Sequence, residues 1–221
     1  MGPAQRDALG DHLRLMLAWN EAINLTAIRD AVSAAHLHVA DSLAGITSFV
    51  TLPQATLLDV GSGGGFPGLA LAICMPGTRV TLVESVRKKA VFLEAAVRAV
   101  GLADRVTVVA RRAEDLAPGQ WDIVTARAVG GLADLVEVGL PLLANGGHLA
   151  VWKRGDLTAE FESAGRAATA LGGSIPAWRP YPDDLAVASG LAGHGLVLVR
   201  KVGNSPPGYP RDPAARRRRP W

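Results

Sequence analysis

The chain has 221 residues, of which 49% are apolar, and this predicts one domain with a substantial hydrophobic core. Its apolar runs are far shorter than the roughly 18 residues needed to cross a bilayer. Its N-terminus lacks the charged-then-apolar pattern of a signal peptide, so we expect a cytoplasmic protein that does not bind membranes. A single cysteine, Cys74, excludes an internal disulfide.

The net charge of +3 is distributed unevenly along the chain. Residues 211–221 hold five arginines and one aspartate, a charge of +4, which leaves −1 on the rest of the chain. This arginine run lies among prolines, so we expect residues 204–221 to form an extended basic tail. Such a tail suits a polyanionic partner, whereas the body of the chain would need local basic patches to bind one.

Residues 1–53 are predicted to form a helical extension that packs on the main domain. Leu9, Leu13 and Met16 recur at roughly helical spacing, which predicts a first helix. A second helix is expected from 31 to 49, and Pro53 ends the extension.

The stretch 56–68, TLLDVGSGGGFPG, predicts a buried strand, a glycine-rich loop and the start of a helix. Gly61, Gly63 and Gly65 allow positive φ and leave the loop backbone bare towards a ligand. The free N–H groups at the start of the helix add hydrogen-bond donors. These features are typical of the first half of a nucleotide-binding βαβ unit, and a glycine-rich turn without a ligand is the alternative.

Two residues of this stretch bear on the choice of cofactor. The dinucleotide-binding pattern requires Gly or Ala at position 66, where this chain has Phe66. Asp59, at the end of the strand, would repel a pyrophosphate. A cofactor with no phosphate and one positive charge fits better, and S-adenosylmethionine is such a molecule. A nicotinamide dehydrogenase is the alternative interpretation of the same strand, loop and helix.

Glu84 is the predicted ligand of the cofactor ribose. It ends a strand predicted from 79 to 84 and lies 23 residues after Gly61. An acidic side chain meets a ribose at a spacing of about 20 residues in nucleotide-binding folds. The alternative is that Glu84 caps the following helix, which is predicted from 85 to 101.

The rest of the chain alternates strands and helices, which predicts an α/β fold. Strands are expected at 106–110, 121–126, 148–153, 174–181 and 196–202, and helices at 131–144 and 158–171. The predicted architecture is a doubly wound, Rossmann-like sheet of about seven strands, mostly parallel, with an antiparallel strand near one edge. Because parallel crossovers are right-handed, the loops that follow the strands of residues 54–203 gather at one edge.

Six motifs, in the same order along nearly the whole chain, carry a resemblance to a known family. They are NLTAI (24–28), His38-x-x-Asp41-Ser42, LLDVGSGGGFPG (57–68), Arg112-Ala113-Glu114, Arg127-Ala128-Val129 and Tyr209-Pro210-Arg211. The set resembles the RsmG family, also called GidB, of bacterial 16S ribosomal RNA guanine-N7 methyltransferases. This resemblance implies a class I methyltransferase sheet.

The resemblance also implies which residues contact S-adenosylmethionine, namely Gly61, Phe66, Ala113, Glu114 and Arg127. Ala113 would offer its backbone to adenine, and Glu114 would accept a hydrogen bond from the exocyclic amine. A cation beside a sulfonium is unfavourable, so Arg127 is expected to meet the methionine carboxylate or an RNA phosphate, or else to form a surface ion pair. Phe66 is expected to stack on a base or to pack in the core.

His38, Asp41 and Lys153 have open roles. His38 and Asp41 lie three positions apart on a predicted helix and are expected to pair with each other or to serve the site. Lys153 ends a predicted strand, where it would hold an RNA phosphate or lie on the surface.

The implied reaction transfers a methyl group to N7 of the 530-loop guanine in 16S ribosomal RNA. N7 carries a lone pair and no proton, so we expect an in-line displacement with neither a catalytic base nor a metal ion. The partner would be 16S ribosomal RNA or the small ribosomal subunit, and the protein a monomer. The expected RNA contacts are Arg127, Lys153, Arg211, Arg216, Arg217, Arg218 and Arg219. A small-molecule methyltransferase and a non-catalytic RNA-binding protein are the alternatives.

Overall fold

The computed structural model of the protein describes residues 1–46, 55–128 and 130–221. Within these ranges the strands are β1 (Thr56–Val60), β2 (Arg79–Val83), β3 (Val106–Val109), β4 (Trp121–Arg127), β5 (Leu143–Arg154), β6 (Ala177–Pro180) and β7 (His194–Arg200). The helices are α1 (Pro3–Ile23), α2 (Ala31–Ala34), α3 (Asp41–Ala44), α4 (Gly68–Cys74), α5 (Arg87–Ala99), α6 (Leu132–Leu142), α7 (Thr158–Ala170), α8 (Asp183–Ser189) and α9 (Pro213–Arg218). A π-helical stretch, Ala35–Ala40, joins α2 to α3. No helix in the described ranges has both the length and the apolar composition that crossing a bilayer requires.

The strands form one sheet in the order β3-β2-β1-β4-β5-β7-β6. Strands β1 to β5 pair in parallel, and β7 runs antiparallel to both β5 and β6. The predicted mostly parallel sheet with an antiparallel strand near one edge is therefore confirmed.

Strand β1 lies in the middle of the sheet and is buried on both faces. Leu57 belongs to the core cluster that includes side chains of α1, α4 and α5, whereas Leu58 belongs to the cluster with α6 and α7. A parallel strand covered on both faces is apolar on both faces, and TLLDV shows this pattern. The carboxyl ends of β1, β2 and β4 consequently meet at one edge of the sheet.

The N-terminal extension covers part of the first core cluster. Helix α1 buries Leu9 and Met16 and packs on α4 and α5. The second predicted helix is present as α2, the π-helical stretch and α3, and it is helical up to Ala44. Its predicted end at residue 49 and the boundary at Pro53 lie outside the described residues.

The prediction of an extended C-terminal tail is wrong, because residues 213–218 form helix α9. Asp212 caps this helix by accepting a 2.8 Å hydrogen bond from the backbone N–H of Ala215. Pro213 occupies the first turn, where a missing N–H costs nothing. The prolines from which an extended tail was predicted thus include one that starts a helix. Helix α8 was not predicted either.

Candidate functional site

The glycine-rich loop follows β1 at the carboxyl edge of the sheet. The N–H groups of Gly61 and Ser62 both donate to the carbonyl of Val83, at 2.9 and 3.0 Å, which fixes the loop to β2. Gly63 has a φ of +50°, and among the described residues a Cβ placed there would have only the carbonyl oxygen of Gly61 within 4 Å, at 3.7 Å. The backbone at Gly63 therefore borders open space, as a backbone that receives a ligand must.

Asp59 lies beneath the loop and is not exposed to solvent. Its carboxylate is fully buried, and it accepts from the Gly68 N–H at 3.1 Å and from the Thr125 hydroxyl at 2.8 Å. Burial raises the pKa of the Asp59 carboxyl to about 6. Asp59 therefore holds the start of α4 against β1 and β4.

Glu84 connects the glycine-rich loop to the start of α5. Its two carboxylate oxygens accept from the N–H of Gly63 at 3.1 Å and from the N–H of Val86 at 2.8 Å. Val86 is the N-cap residue of α5, so Glu84 binds the start of that helix, which was the alternative interpretation. The side chain is buried beneath Gly63, where it positions the backbone of the loop.

A cleft of about 210 Å³ opens beside the loop. It is lined by Val60, Gly61, Val83, Ser85, Arg111, Arg112, Ala113, Glu114, Gly130, Asp134, Leu135, Val138, Pro213 and Arg216. We call it the loop cleft. Three of the predicted cofactor residues, Gly61, Ala113 and Glu114, come together here, as does Arg216, which was predicted to contact RNA. Gly63, Gly65, Phe66, Glu84 and Arg127 do not line it.

The ring of Phe66 packs against the N-terminal extension. It is 6% exposed and stacks on His12 and on His38, with ring centroids 4.3 and 5.3 Å apart. The Cζ of Arg127 lies 5.8 Å from its centroid. Of the two expectations for Phe66, core packing is therefore the one that describes its ring.

His12 and His38 are both held neutral at this contact. Burial lowers the pKa of each imidazole to about 4. Electrostatic repulsion lowers the two pKa values further, from His38 in the case of His12 and from the positive charge of Arg127 in the case of His38. His12 Nε2 lies 2.8 Å from the Gly64 carbonyl and must donate to it, while its buried Nδ1 has no partner among the described residues. His12 thus ties α1 to the glycine-rich loop.

Arg127, at the end of β4, is bound to the N-terminal extension. One guanidinium nitrogen donates to the carboxylate of Asp41 at 3.0 Å and to the Leu37 carbonyl at 3.1 Å. The other lies 3.1 Å from His38 Nδ1, which must therefore be the acceptor. The expected surface ion pair is in fact mostly buried, with 13% of the Arg127 side chain and 7% of the Asp41 side chain exposed.

Asp41 joins the extension to three strands. Besides Arg127 of β4, its carboxylate contacts the Tyr181 hydroxyl at 2.9 Å and His194 Nδ1 at 3.2 Å. Its carbonyl accepts from the indole N–H of Trp152 at 2.8 Å. His38 and Asp41 therefore do not pair with each other but meet the same arginine.

A second cleft, of about 420 Å³, lies where β4 and β5 end. Its lining residues are Ile28, Leu37, His38, Asp41, Arg127, Ala128, Gly130, Trp152, Lys153, Arg154, Glu160 and His194. We call it the strand-end cleft. Lys153 forms a 2.7 Å ion pair with Glu160 in its wall. Gly130 lines both clefts, so they adjoin at the segment between β4 and α6.

The C-terminal arginines fall into two groups. Arg211 and Arg216 have partners inside the protein, the carboxylates of Glu137 and Glu114, each at 2.5 Å. Arg217, Arg218 and Arg219 are exposed. Sequence reasoning missed Glu137, which is fully buried. Its signal was a lone carboxylate within the apolar run LVEVGLPLL, because a buried charge needs a partner.

Comparisons with known proteins identify the family. A model of the family described as rRNA small subunit methyltransferase G (GidB) matches residues 5–175. The ribosomal RNA small subunit methyltransferase G of Chloroflexus aggregans is 40% identical over 214 residues, which cover 95% of this chain and 87% of that protein. The protein of that name from Roseiflexus castenholzii is 42% identical over 208 residues, 92% of this chain and 86% of the other. The chain belongs to this family.

Membership of the rRNA small subunit methyltransferase G family confirms the resemblance found in the sequence motifs. Among solved structures, the [4+2]-cyclase SpnF has the same fold, with a TM-score of 0.57 and 19% identity, and the match covers 90% of this chain and 97% of that one. That likeness concerns the fold alone, and the reaction has to be argued from the site. The family model ends at residue 175, so α9 lies beyond it although α9 lines the loop cleft.

The loop cleft fits S-adenosylmethionine. Gly61 lines this cleft with a backbone that bears no side chain, and Glu114 brings a carboxylate that can accept from an adenine amine. No phosphate has to be accommodated, which suits an edge that carries Glu84 and Glu114.

Proposed function

We propose that the protein transfers the methyl group of S-adenosylmethionine to N7 of a guanine in 16S ribosomal RNA, the guanine of the 530 loop. The observation that supports this most directly is that two clefts adjoin at Gly130. The loop cleft has part of the glycine-rich loop in its wall and would hold the cofactor. The strand-end cleft is large enough for a nucleobase and has positively charged side chains in its wall. A methyl group at their junction would have the cofactor on one side and the acceptor on the other.

In the loop cleft, Ala113 and Glu114 hold the adenine and Gly61 lies against the cofactor. Gly63 and Gly65 shape the loop through their positive φ angles of +50° and +86°. Glu84 keeps the loop in place through the Gly63 N–H and offers its remaining lone pairs to the ribose. Phe66 and Arg127 contribute indirectly, because their contacts with His12 and Asp41 hold the N-terminal extension in place beside the loop.

In the strand-end cleft, the chain binds and orients the guanine and needs no proton acceptor. Bound S-adenosylmethionine supplies a methyl group on a positively charged sulfur. N7 has a lone pair and no proton, so the residues contribute alignment within about 3–3.5 Å rather than acid–base chemistry. N7 of a paired base lies in the deep, narrow groove of A-form RNA, so the target guanine must be unpaired or splayed out.

The RNA backbone is held by basic residues around these clefts. Arg217, Arg218 and Arg219 are exposed on and just after α9 and are the strongest candidates. Lys153 and Arg154 line the strand-end cleft, although Lys153 is already paired with Glu160. Arg127, Arg211 and Arg216 have carboxylate partners inside the protein, so we assign them positioning roles. The protein acts as a monomer in the cytoplasm, where its ribosomal substrate is found.

The test is transfer of a tritiated methyl group to 16S ribosomal RNA taken from cells that lack the enzyme, offered both as free RNA and as small subunits. We expect label at one guanine, with the chemical reactivity of an N7-methylated base. RNA from cells that contain the enzyme is the control and should accept little label. Label on another base or on another atom of guanine would contradict the proposal, and so would labelling of a small molecule but not of RNA.

A further inference from the structure

The C-terminal segment, residues 209–221, is fastened at both ends to the buried carboxylate of Glu137 on α6. Arg211 donates through its backbone N–H at 2.8 Å and through its guanidinium at 3.0 and 2.5 Å. Trp221 donates its indole N–H at 2.5 Å. The Arg211 guanidinium also lies 5.1 Å from the Trp221 ring centroid, within cation–π distance. The segment is therefore held at both ends, with α9 between its anchors.

Between these anchors, Arg216 of α9 reaches into the wall of the loop cleft. Its guanidinium donates to Glu114 Oε1 at 2.5 Å and to the Arg211 carbonyl at 2.7 Å, and it lies 3.8 Å from Asp134. The Arg216 and Glu114 side chains are only 11% and 15% exposed. Pro213, one turn earlier on α9, lines the same cleft. This arginine is thus part of the cleft and not of a solvated tail.

We propose that the C-terminal segment completes the adenine pocket and that Arg216 is a positioning residue for Glu114. The inference rests on the proposed function, since it assumes that the adenine of S-adenosylmethionine lies in the loop cleft. The Glu114 carboxylate has two oxygens. Arg216 binds Oε1, which fixes the plane of the carboxylate, and Oε2 is the oxygen proposed to accept from the exocyclic amine.

This arrangement makes the pocket selective for an amine at position 6 of the purine. A carboxylate held in place and sheltered from water accepts from an amine but repels a carbonyl oxygen at the same position. Sites built to hydrogen-bond one group reject analogues that lack it, because a buried polar group is then left without a partner. Without Arg216, the Glu114 side chain would be free to turn towards solvent, and the selectivity would fall.

The experiment measures binding of two stable ligands by calorimetry, S-adenosylhomocysteine and its 6-oxo analogue S-inosylhomocysteine. We expect Arg216→Ala to bind S-adenosylhomocysteine at least fivefold more weakly than the unchanged protein. The ratio of the two affinities should also fall at least fivefold, a change that general loosening of the fold would not produce. Arg166→Ala is the matched control, since it removes an arginine from an exposed ion pair with Glu162 on α7 and should change neither quantity.

Arg216→Lys provides a second variant if Arg216→Ala does not fold. It keeps the positive charge but not the planar fork, and we expect an affinity ratio between those of the unchanged protein and the alanine variant. An unchanged ratio, or tighter binding of S-adenosylhomocysteine by Arg216→Ala, would overturn the inference. Failure of rRNA methylation together with a reduced ratio would refute the proposed reaction but not the role of Arg216. If the unchanged protein binds neither ligand, both proposals fall.

Discussion

The Arg127 guanidinium donates a 3.0 Å hydrogen bond to the Asp41 carboxylate, across 86 positions of sequence. Arg127 ends β4, and Asp41 begins α3 in the N-terminal extension. The same carboxylate contacts Tyr181 and His194, so this one contact brings the extension to the strand-end cleft. The N-terminal extension therefore forms part of the wall of the strand-end cleft in addition to covering the sheet.

Replacing Arg127 tests this connection. Arg127→Ala should lower the free energy of unfolding by about 3 kcal/mol, because removing one partner of a mostly buried ion pair leaves the other charge uncompensated. Arg14→Ala is the control, since Arg14 and Asp11 are exposed and such a pair contributes at most about 1 kcal/mol. Urea unfolding of both variants is the measurement. An Arg127→Ala protein of normal stability that binds S-adenosylhomocysteine poorly would instead assign Arg127 to the cofactor.

Replacing Gly63 tests the bare backbone of the loop. In Gly63→Val the new side chain would enter the open space beside the glycine-rich loop, which borders the proposed cofactor cleft through Gly61, and the affinity for S-adenosylhomocysteine should fall at least tenfold, or about 1.4 kcal/mol. Gly101→Val is the matched control, because Gly101 also has a positive φ, +68°, and an added Cβ there would have no neighbour within 4 Å in the part of the chain that the structure describes. Both variants carry a similar backbone strain. A loss of S-adenosylhomocysteine affinity, measured by calorimetry, in Gly63→Val but not in Gly101→Val would therefore come from the added side chain and not from strain. Equal affinities in the two variants would remove Gly63 from the cofactor site.

The exposed arginines after Arg216 can be tested through salt dependence. Changing Arg217, Arg218 and Arg219 together to alanine should weaken RNA binding and reduce the slope of log affinity against log salt by about two, since each phosphate contact to single-stranded RNA contributes roughly 0.7. Affinity for S-adenosylhomocysteine should not change, because Arg216 is retained. The measurement is RNA affinity over a salt series. Parallel lines for the two proteins would mean that these three arginines make no phosphate contacts.

The buried histidines predict a dependence of stability on acidity. The pKa of His12 is about 4 in the folded protein and about 6.5 in the unfolded chain, so the unfolded chain binds a proton first as pH falls. Stability linked to His12 is therefore present above pH 6.5 and lost between about pH 6.5 and 4. His12→Phe keeps a ring beside Phe66 and should reduce this loss by up to about 1.4 kcal/mol per pH unit.

The measurement is urea unfolding across that pH range, compared between variants because other groups titrate there too. Asp59, with a pKa raised to about 6 by burial, acts in the opposite direction, since the folded protein then binds a proton more readily than the unfolded chain. His36→Gln, at an exposed histidine, is the control and should follow the unchanged protein. A His12→Phe curve parallel to the unchanged one would show that His12 does not titrate differently on folding.

The central strand, the glycine-rich loop and the alternation of strands and helices could all be predicted from the amino-acid sequence. The reason is that they depend on local chemistry: TLLDV is apolar on both faces of a strand, and a loop with positive φ at Gly61, Gly63 and Gly65 requires glycine. The family could likewise be recognised, because its motifs are short and contiguous. Residues 31–44 also became helical as predicted.

The partners of the polar side chains were decided by the tertiary structure. The Asp59 carboxylate lies beneath the loop and accepts from the Gly68 N–H. The Arg216 guanidinium donates to Glu114, which lies 102 positions away in the sequence. The prediction of an extended tail failed at Glu137, whose burial in α6 required a cation, and Arg211 supplies it. No local pattern specifies such pairs, because a buried charge is stable only next to an opposite charge, and the packing of distant elements decides which charge lies beside it.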